Sequence, residues 1–475
     1  MKNAGLTLSV LLLSGCMVGP DFNAPVVKSP PTWPQGKAVS HVVEQGLDPH
    51  WWNIFHDDTL TALIAESAQG NLDIQAAGAR LLQAQAENSV VTGESLPSVT
   101  GSASYQRARN SQNGLQDISG LGGKEAYSVW QPGVGVSWEV DMWGRLRRAR
   151  ESAGARVEVS EDLRRAVLIG IQAETASDYF RLRSVQLQRE NALQDLDIAR
   201  HSLKLTGIRM ADGVATQLEV AQAQAQVAAV ESTLPVLEQQ EAHLINALSY
   251  LLGKEPGALT QRLRGARPLP LTPPEVPVGL PSELAQRRPD IRAAEAQLHA
   301  ATADIGVATA DFYPRITLTG NIGIQAMQFS QLGNWGSQLY SFGPGLTLPI
   351  FEGGRLRGQL ALKKAQQQEA SLHFQSTVLK AWHEVDDAMV DYDTGQRQRS
   401  QLKIRVDNDS AALDAASKQY VAGATDFLNV LVMQKELIAA RQTLVVSDAS
   451  VSLALVRLYK ALGGGWGGES SQTMN

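Results

Sequence analysis

The chain of 475 residues has a single cysteine, Cys16. One cysteine excludes an internal disulfide and any zinc cluster built on thiolates. Positive charge is not in excess: 42 Lys+Arg stand against 48 Asp+Glu, a net charge of −6. That balance gives no footprint for nucleic acid. No apolar run reaches the roughly 18 residues of a membrane-spanning helix. The eight histidines are scattered and compose no triad. His383-Glu384 lacks the second histidine of a metalloprotease motif. Asp57-Asp58 beside His56 could suggest a metal pair, but the pair precedes Leu60, Leu63 and Ile64, where a helix N-cap belongs. Gly120-Leu121-Gly122-Gly123 does not lie between a strand and a helix, so it is no nucleotide loop. Arg147-Arg148 and Arg287-Arg288 read as solvated helix or interface charges. No constellation supports an enzyme. Proline is missing too, from Arg145 to Met210 and again from Arg355 to Ala422.

What is present begins with MKNAGLTLSVLLLSGC. Lys2, the apolar core Leu6 to Leu13, and the small residues Ser14 and Gly15 form an export signal. Leu13-Ser14-Gly15-Cys16 resembles a bacterial lipobox, in which the cysteine thiol is diacylated and the new N-terminus is acylated. An ordinary signal peptide with an incidental cysteine is the alternative. Several acyl chains make a durable anchor, each buried CH2 contributing about 0.8 kcal/mol. By the same resemblance, Met17 rather than aspartate after Cys16 favours the outer membrane.

The chain is one unit written twice. Asn71-Leu72-Asp73-Ile74 matches Arg288-Pro289-Asp290-Ile291, and Pro97 matches Pro314. Gly144-Arg145-Leu146 matches Gly354-Arg355-Leu356, Gly213 matches Gly423, and Leu252-Gly253 matches Leu462-Gly463. So many anchors in constant spacing signal an internal repeat. Each half reads helix, strand, loop, strand, long helix, turn, helix.

Strands are expected near Ser98 to Gln106, Val129 to Val140, Arg315 to Gln325 and Tyr340 to Ile350. Val134, Val136, Trp138 and Val140 alternate with Gly135, Ser137 and Glu139, and Ile316, Leu318, Ile322 and Ile324 alternate with small or polar residues. This period of two, over about ten residues, is the pattern of a membrane barrel; the edge of a soluble sandwich is the alternative. The proline-free runs give two helices of about 100 Å at 1.5 Å per residue. Ala370, Phe374, Val378, Ala381, Val385, Ala388 and Tyr392 form an alanine-rich stripe at spacings of three and four, suited to coiled-coil packing. Gly213 and Gly423 mark the turns. Pro235 should kink or break the first returning helix.

Four strands cannot close a barrel, and an open edge in lipid leaves backbone groups unsatisfied. Other copies must complete the wall, and three copies give twelve strands. The helices should then line a second tube beneath the barrel.

The residues that point to a family are Cys16-Met17-Val18-Gly19-Pro20-Asp21-Phe22, Trp51-Trp52 with Phe55, and Trp138-Glu139-Val140-Asp141 with Gly144-Arg145. With them go Arg287-Arg288-Pro289-Asp290-Ile291, Phe312-Tyr313-Pro314, Pro349-Ile350-Phe351-Glu352-Gly353-Gly354-Arg355, and Leu458-Tyr459-Lys460-Ala461-Leu462-Gly463. Over nearly the whole mature chain, the sequence resembles the bacterial outer membrane efflux proteins of the TolC type, in the lipoprotein branch similar to OprM and NodT. The resemblance implies a mixed α and β membrane protein: a homotrimer whose twelve-stranded transmembrane β-barrel, four strands per protomer, continues into a periplasmic α-helical barrel with an equatorial domain. It implies the outer membrane channel of a tripartite pump, a passive exit duct for drugs or other small toxic compounds. A periplasmic membrane-fusion adaptor and an inner-membrane transporter would be its partners. No cofactor is implied beyond the lipid at Cys16. A duct for heavy-metal export and a stand-alone porin remain alternatives.

The corresponding domains are a signal peptide at 1–15, an N-terminal lipidated segment and equatorial region at 16–70, repeats at 71–255 and 282–465, a proline-rich linker at 256–281, and a flexible tail at 466–475. The resemblance also implies a gate at the periplasmic turns. There Tyr420 and Glu219 match positions of a hydrogen-bond network, with Arg209, Asp212 and Asp426 nearby. Asn429 and Val432 stand where an acid is usual, which puts an acidic ring in doubt and leaves a hydrophobic constriction at Val432, with Asp426 nearby, as the other reading; that these residues only cap or pack helix ends is the alternative.

Overall fold

The computed structural model describes residues 17–26, 32–33, 42–43, 48–111, 113, 125–270, 276–279 and 281–466. The expected signal peptide, Cys16, most of the first inter-strand loop and the tail beyond Trp466 lie outside the described residues. The chain divides into two compact units. One holds 81–160 and 293–374 with the N-terminal segment to Pro25; the other holds 26–80, 161–292 and 375–475.

In chain order come β1 (Val42–Val43), α1 (Asp58–Gly70), α2 (Leu72–Glu94), β2 (Ser98–Ala108), β3 (Tyr127–Val140), α3 (Arg145–Ala211), α4 (Gln217–Glu231) and α5 (Leu234–Leu251). A short α6 (Thr260–Leu263), β4 (Val276–Pro277) and α7 (Leu284–Arg287) follow. The series then returns as α8 (Pro289–Ala310), β5 (Arg315–Ile324), β6 (Gln338–Thr347), α9 (Arg355–Val421) and α10 (Phe427–Ala461). The strands and long helices match their expected bounds to within a few residues.

The first unit contains an antiparallel sheet in the order β2-β3-β5-β6. Its two hairpins repeat in register. Ser98 faces Ser137, and Arg315 faces Thr347, which are 217 and 210 residues further on. The same offsets relate Pro97 to Pro314 and Gly144 to Gly354. The duplication therefore governs backbone pairing as well as sequence.

Each long helix has 67 residues, about 100 Å at 1.5 Å per residue. All seven residues of the Ala370–Tyr392 stripe are buried. Both helices end on a glycine with positive φ, 73° at Gly213 and 74° at Gly423. In each turn a backbone N–H reaches back to close the helix: Val214 donates to Arg209, and Ala424 to Gln419. Pro235 has the expected effect. It sits in the first turn of α5, and the returning path is split at Ser232 and Thr233. Val445 holds the counterpart position in the second half, and α10 runs unbroken for 35 residues.

In the second unit, Trp51 is buried and stacks on Tyr459 at 5.4 Å. Asp57 caps α1 by accepting from the Thr59 and Leu60 N–H groups, and it also accepts from the Tyr179 hydroxyl at 2.5 Å. The cap reading thus accounts for Asp57. Burial, then the bond to Asp57, pushes the Tyr179 pKa up to about 12. β1 pairs in parallel with β4, Trp33 Nε1 donates to the Gly279 carbonyl, and Trp466 Nε1 donates to the Arg287 carbonyl at 2.8 Å. Trp466 also lies between the Arg165 and Arg292 guanidiniums, at 4.8 and 5.2 Å.

Candidate functional site

The sheet has two chemically distinct faces, and the register fixes which residues share each. Val99, Val136, Gly320 and Phe342 form one cross-strand row; Gly101, Val134, Ile322 and Tyr340 form another. Trp138, Leu318 and Pro344 continue that face, followed by Val140, Ile316 and Leu346. The opposite face carries Ser98, Ser137, Thr319 and Gly343, then Thr100, Gly135, Asn321 and Ser341. One side is apolar and the other is small or polar. Both faces are bare within the chain, the apolar one included: Ile322 is 67% exposed, Tyr340 76% and Phe342 82%. A contiguous apolar patch of this kind calls for a nonaqueous neighbour.

Aromatic residues mark both ends of the apolar face. At one end Tyr105 and Trp130 lie 4.3 Å apart, and Phe329 meets Trp130 at 5.1 Å. At the other end Trp138 Nε1 donates to the Ser95 carbonyl. Beyond it Trp143 stacks on Tyr313 at 4.7 Å and donates to the Pro314 carbonyl. Trp130 and Trp138 are eight positions apart on β3, about 26 Å of strand at 3.3 Å per residue, or about 20 Å of height at a barrel tilt of about 40°. With Val140, Ile316 and Leu346 beyond Trp138 on the same face, the band is of the order of the 25 Å between aromatic girdles that a bilayer demands of a barrel wall. No described helix is long and apolar enough to cross a membrane.

The first unit also seats the segment after Cys16. Val18 N–H donates to the Trp143 carbonyl at 3.1 Å. Asp21 pairs with the buried Arg148 at 2.5 Å, and Phe22 stacks on His299 at 4.4 Å. Arg148 also holds Glu151 at 2.8 Å.

In the second unit, the two hairpin turns carry the gate candidates. Tyr420 is buried among Ala223, Phe427, Val430 and Leu431. The Arg209 guanidinium lies 4.4 Å from the Tyr420 ring and donates to the Tyr420 carbonyl at 3.2 Å. The Tyr420 hydroxyl has no hydrogen-bond partner among the described residues. Glu219 and Thr216 instead form a capping box: each side chain accepts from the other's backbone N–H. Asp426 caps α10 by accepting from the Asn429 N–H, and Asn429 donates to the Thr425 hydroxyl at 2.6 Å. Asp212 is exposed beside Gly213, and Val432 is 42% exposed on α10. Tyr420 and Arg209 are thus brought together, while Glu219, Asp426 and Asn429 serve their own helix starts. Thr216-x-x-Glu219 has the capping-box pattern and could have been read from the sequence. The buried partners of Tyr420 carry no such local signal.

The arginine pairs require a correction. Arg287 is partly exposed, but Arg288 is buried, and it is neither solvated nor idle. It donates to the Ala461 carbonyl at 2.9 Å and pairs with Asp290 at 2.6 Å and Glu384 at 2.7 Å. Asn71, its counterpart 217 residues earlier, donates to the Leu251 carbonyl at 2.9 Å. Each repeat therefore ties the start of one helix to the end of its returning helix. Burial pushes the Asp290 carboxyl up, but the bond and charge of Arg288 outweigh it and hold the group below its ordinary value. Arg148 is the second arginine that the solvated reading misplaces, because its ion-pair partner Asp21 lies 127 residues away.

The family model for outer membrane efflux proteins matches residues 63–254 and 280–464. The solvent efflux pump outer membrane protein SrpC of Pseudomonas putida is 31% identical, covering 96% of this chain and 97% of its own. The pyoverdine export outer membrane protein OpmQ of Pseudomonas aeruginosa is 33% identical, covering 98% and 97%. Among solved structures, the outer-membrane channel OprN matches with a TM-score of 0.90 at 33% identity, covering 95% of this chain and all of that one.

Proposed function

The chain belongs to the outer membrane efflux protein family, and from that membership we propose a mechanism: three copies close one passive duct, loaded at its hairpin end. Its setting is the outer membrane and its class is transport. The observation that carries the reading is the sheet. It has a bare apolar face of bilayer height, a small and polar opposite face, and unpaired edges at β2 and β6. Such edges are too costly in lipid to leave open, and four strands are too few to close on themselves. Three copies supply twelve strands, with the small, polar face around the lumen.

The duct does no covalent chemistry. Energy comes from a transporter in the inner membrane, and a periplasmic adaptor joins the two. The adaptor docks on the turns, where Val214 and Leu218 of the first turn are 65% and 66% exposed, and Val421 and Leu428 of the second are 64% and 53% exposed. Passage is controlled at the same turns. Val432 forms an apolar constriction, and Tyr420 with Arg209 holds the helices of each copy together. Substrates are small toxic compounds. The relatives' names cover chemistries as different as solvents and pyoverdine, and a lumen lined by Ser, Thr, Gly and Asn discriminates weakly. Cys16 carries the lipid. The support is the segment that follows it, whose Val18 N–H donates to the carbonyl of Trp143 at the edge of the apolar band.

Conductance in planar bilayers tests the gate. The wild type should pass little current, and Val432→Ala should raise single-channel conductance several-fold. An unchanged conductance would remove Val432 from the gate.

A further inference from the structure

Positive charge is nearly missing from the sheet. β2, β3, β5 and β6 hold two cations, Arg107 and Arg315. The chain treats them differently. Arg315 stands at the helix end of β5, across from Thr347 on the small, polar face, and Asp311 holds it at 2.6 Å. Arg107 stands at the loop end of β2, two residues past Tyr105, and is exposed.

The register puts Arg107 on the apolar face. Gly101 pairs with Val134, Ala103 with Pro132, Tyr105 with Trp130, and Arg107 with Ser128. Its neighbours there are hydroxyls rather than carboxylates: the Tyr105 and Ser128 hydroxyls meet at 3.3 Å, with Arg107 beside them. Next toward the middle of the band come the rings of Tyr105, Trp130 and Phe329. Two residues of strand are about 7 Å. The guanidinium therefore lies just outside the aromatic girdle, at the depth of lipid headgroups. A long basic side chain suits that depth, with its stem on apolar surface and its charge turned outward.

The duplication supplies an internal comparison. At the offsets of 217 and 210, Tyr105 and Arg107 correspond to Ile322 and Ile324, and Ser128 and Trp130 to Gln338 and Tyr340. The second hairpin thus crosses the same band with no cation and fewer rings. The wall does not require the cluster on β2 and β3.

We propose that Arg107, Ser128 and Tyr105 form a site, one per copy, for a phosphorylated glycolipid of the outer leaflet. This rests on the reading of the sheet as a bilayer-spanning wall with its helices on the periplasmic side, and it adds a ligand to that wall. The guanidinium offers a planar fork of donors that matches a phosphate bidentately. The two hydroxyls suit a sugar, and Tyr105, Trp130 and Phe329 offer a surface to the acyl chains below it. A glycerophospholipid has the phosphate and the chains but no sugar ring.

The test is lipid binding to the purified mature protein in detergent, read as bound adducts by native mass spectrometry. The probes are bisphosphorylated lipid A, phosphatidylglycerol and inorganic phosphate. Arg107→Gln should lower lipid A affinity about tenfold, and Arg107→Lys by less, because lysine keeps the charge without the fork. Phosphatidylglycerol and inorganic phosphate should bind at least about tenfold more weakly than lipid A. Equal lipid A affinity in the wild type and Arg107→Gln would overturn the site. Equal affinity for phosphatidylglycerol or inorganic phosphate would overturn the glycolipid as its occupant. A second measurement separates the site from the wall. Ile322→Cys, on the apolar face, should resist a water-soluble thiol reagent once the protein is in lipid vesicles. Protection there without any dependence on Arg107 would overturn the site alone; rapid labelling would overturn the bilayer reading with it.

Discussion

Arg288 is buried because three acceptors surround it: Asp290, Glu384 and the Ala461 carbonyl. A buried guanidinium stripped of its partners would be strongly destabilising. Asp290 carries part of that load, and the sign of its pH effect follows. Its folded pKa lies below the unfolded value of about 3.9, so its contribution is complete above that pH and fades as pH falls through the folded value. Asp290→Asn should cost about 1 kcal/mol at pH 7, less than the 3–5 of a fully buried pair, because the carboxylate is 39% exposed and Glu384 remains. Thermal melts at pH 7 and pH 3 should show the mutant's deficit shrinking in acid; a deficit of equal size at both would contradict the assignment. Tyr420 presents the opposite case. Its hydroxyl is buried without a partner among the described residues, so Tyr420→Phe removes a desolvation cost of about 1–3 kcal/mol. The melting temperature should hold or rise. A clear fall would show that the hydroxyl bonds to another copy.

Glycines set the ends of the elements, and they are not equivalent. Gly213 and Gly423 have positive φ but open space where a Cβ would stand. Alanine there meets only the left-handed backbone penalty, about 1–2 kcal/mol. Gly253 combines φ of 67° with the Gly70 carbonyl oxygen 2.3 Å from the Cβ position, and Gly463 repeats the arrangement against the Arg287 carbonyl at 2.9 Å. Gly253→Ala should therefore destabilise by more than Gly213→Ala in denaturation of the solubilised protein; equal effects would mean that the close approach relaxes freely. These ends were legible in the sequence because local chemistry decides them: glycine in the turns, Pro235 at the break, alternation between lipid-facing and lumen-facing residues in the strands. The gate was less legible. Tyr420 matched a family position, but its packing on Phe427 and Leu431 depends on how the hairpins pack, whereas the caps formed by Glu219 and Asp426 follow local patterns. Arg148 and Arg288 were misread for the same reason. Asp290 and Glu151 are local partners, but Asp21 and Glu384 lie far off in sequence, and packing rather than a local pattern buries the two guanidiniums.

The whole molecule is built from a repeat that needs neighbours. Its sheet has a face for lipid, a face for water and two unpaired edges. The account therefore stands on the number of copies in the assembled particle. Imaging the detergent-extracted mature protein by electron microscopy would count them. The account predicts threefold symmetry, with a membrane barrel of twelve strands at one end and a helical tube at the other. A monomer, or a compact particle without a tube, would contradict it.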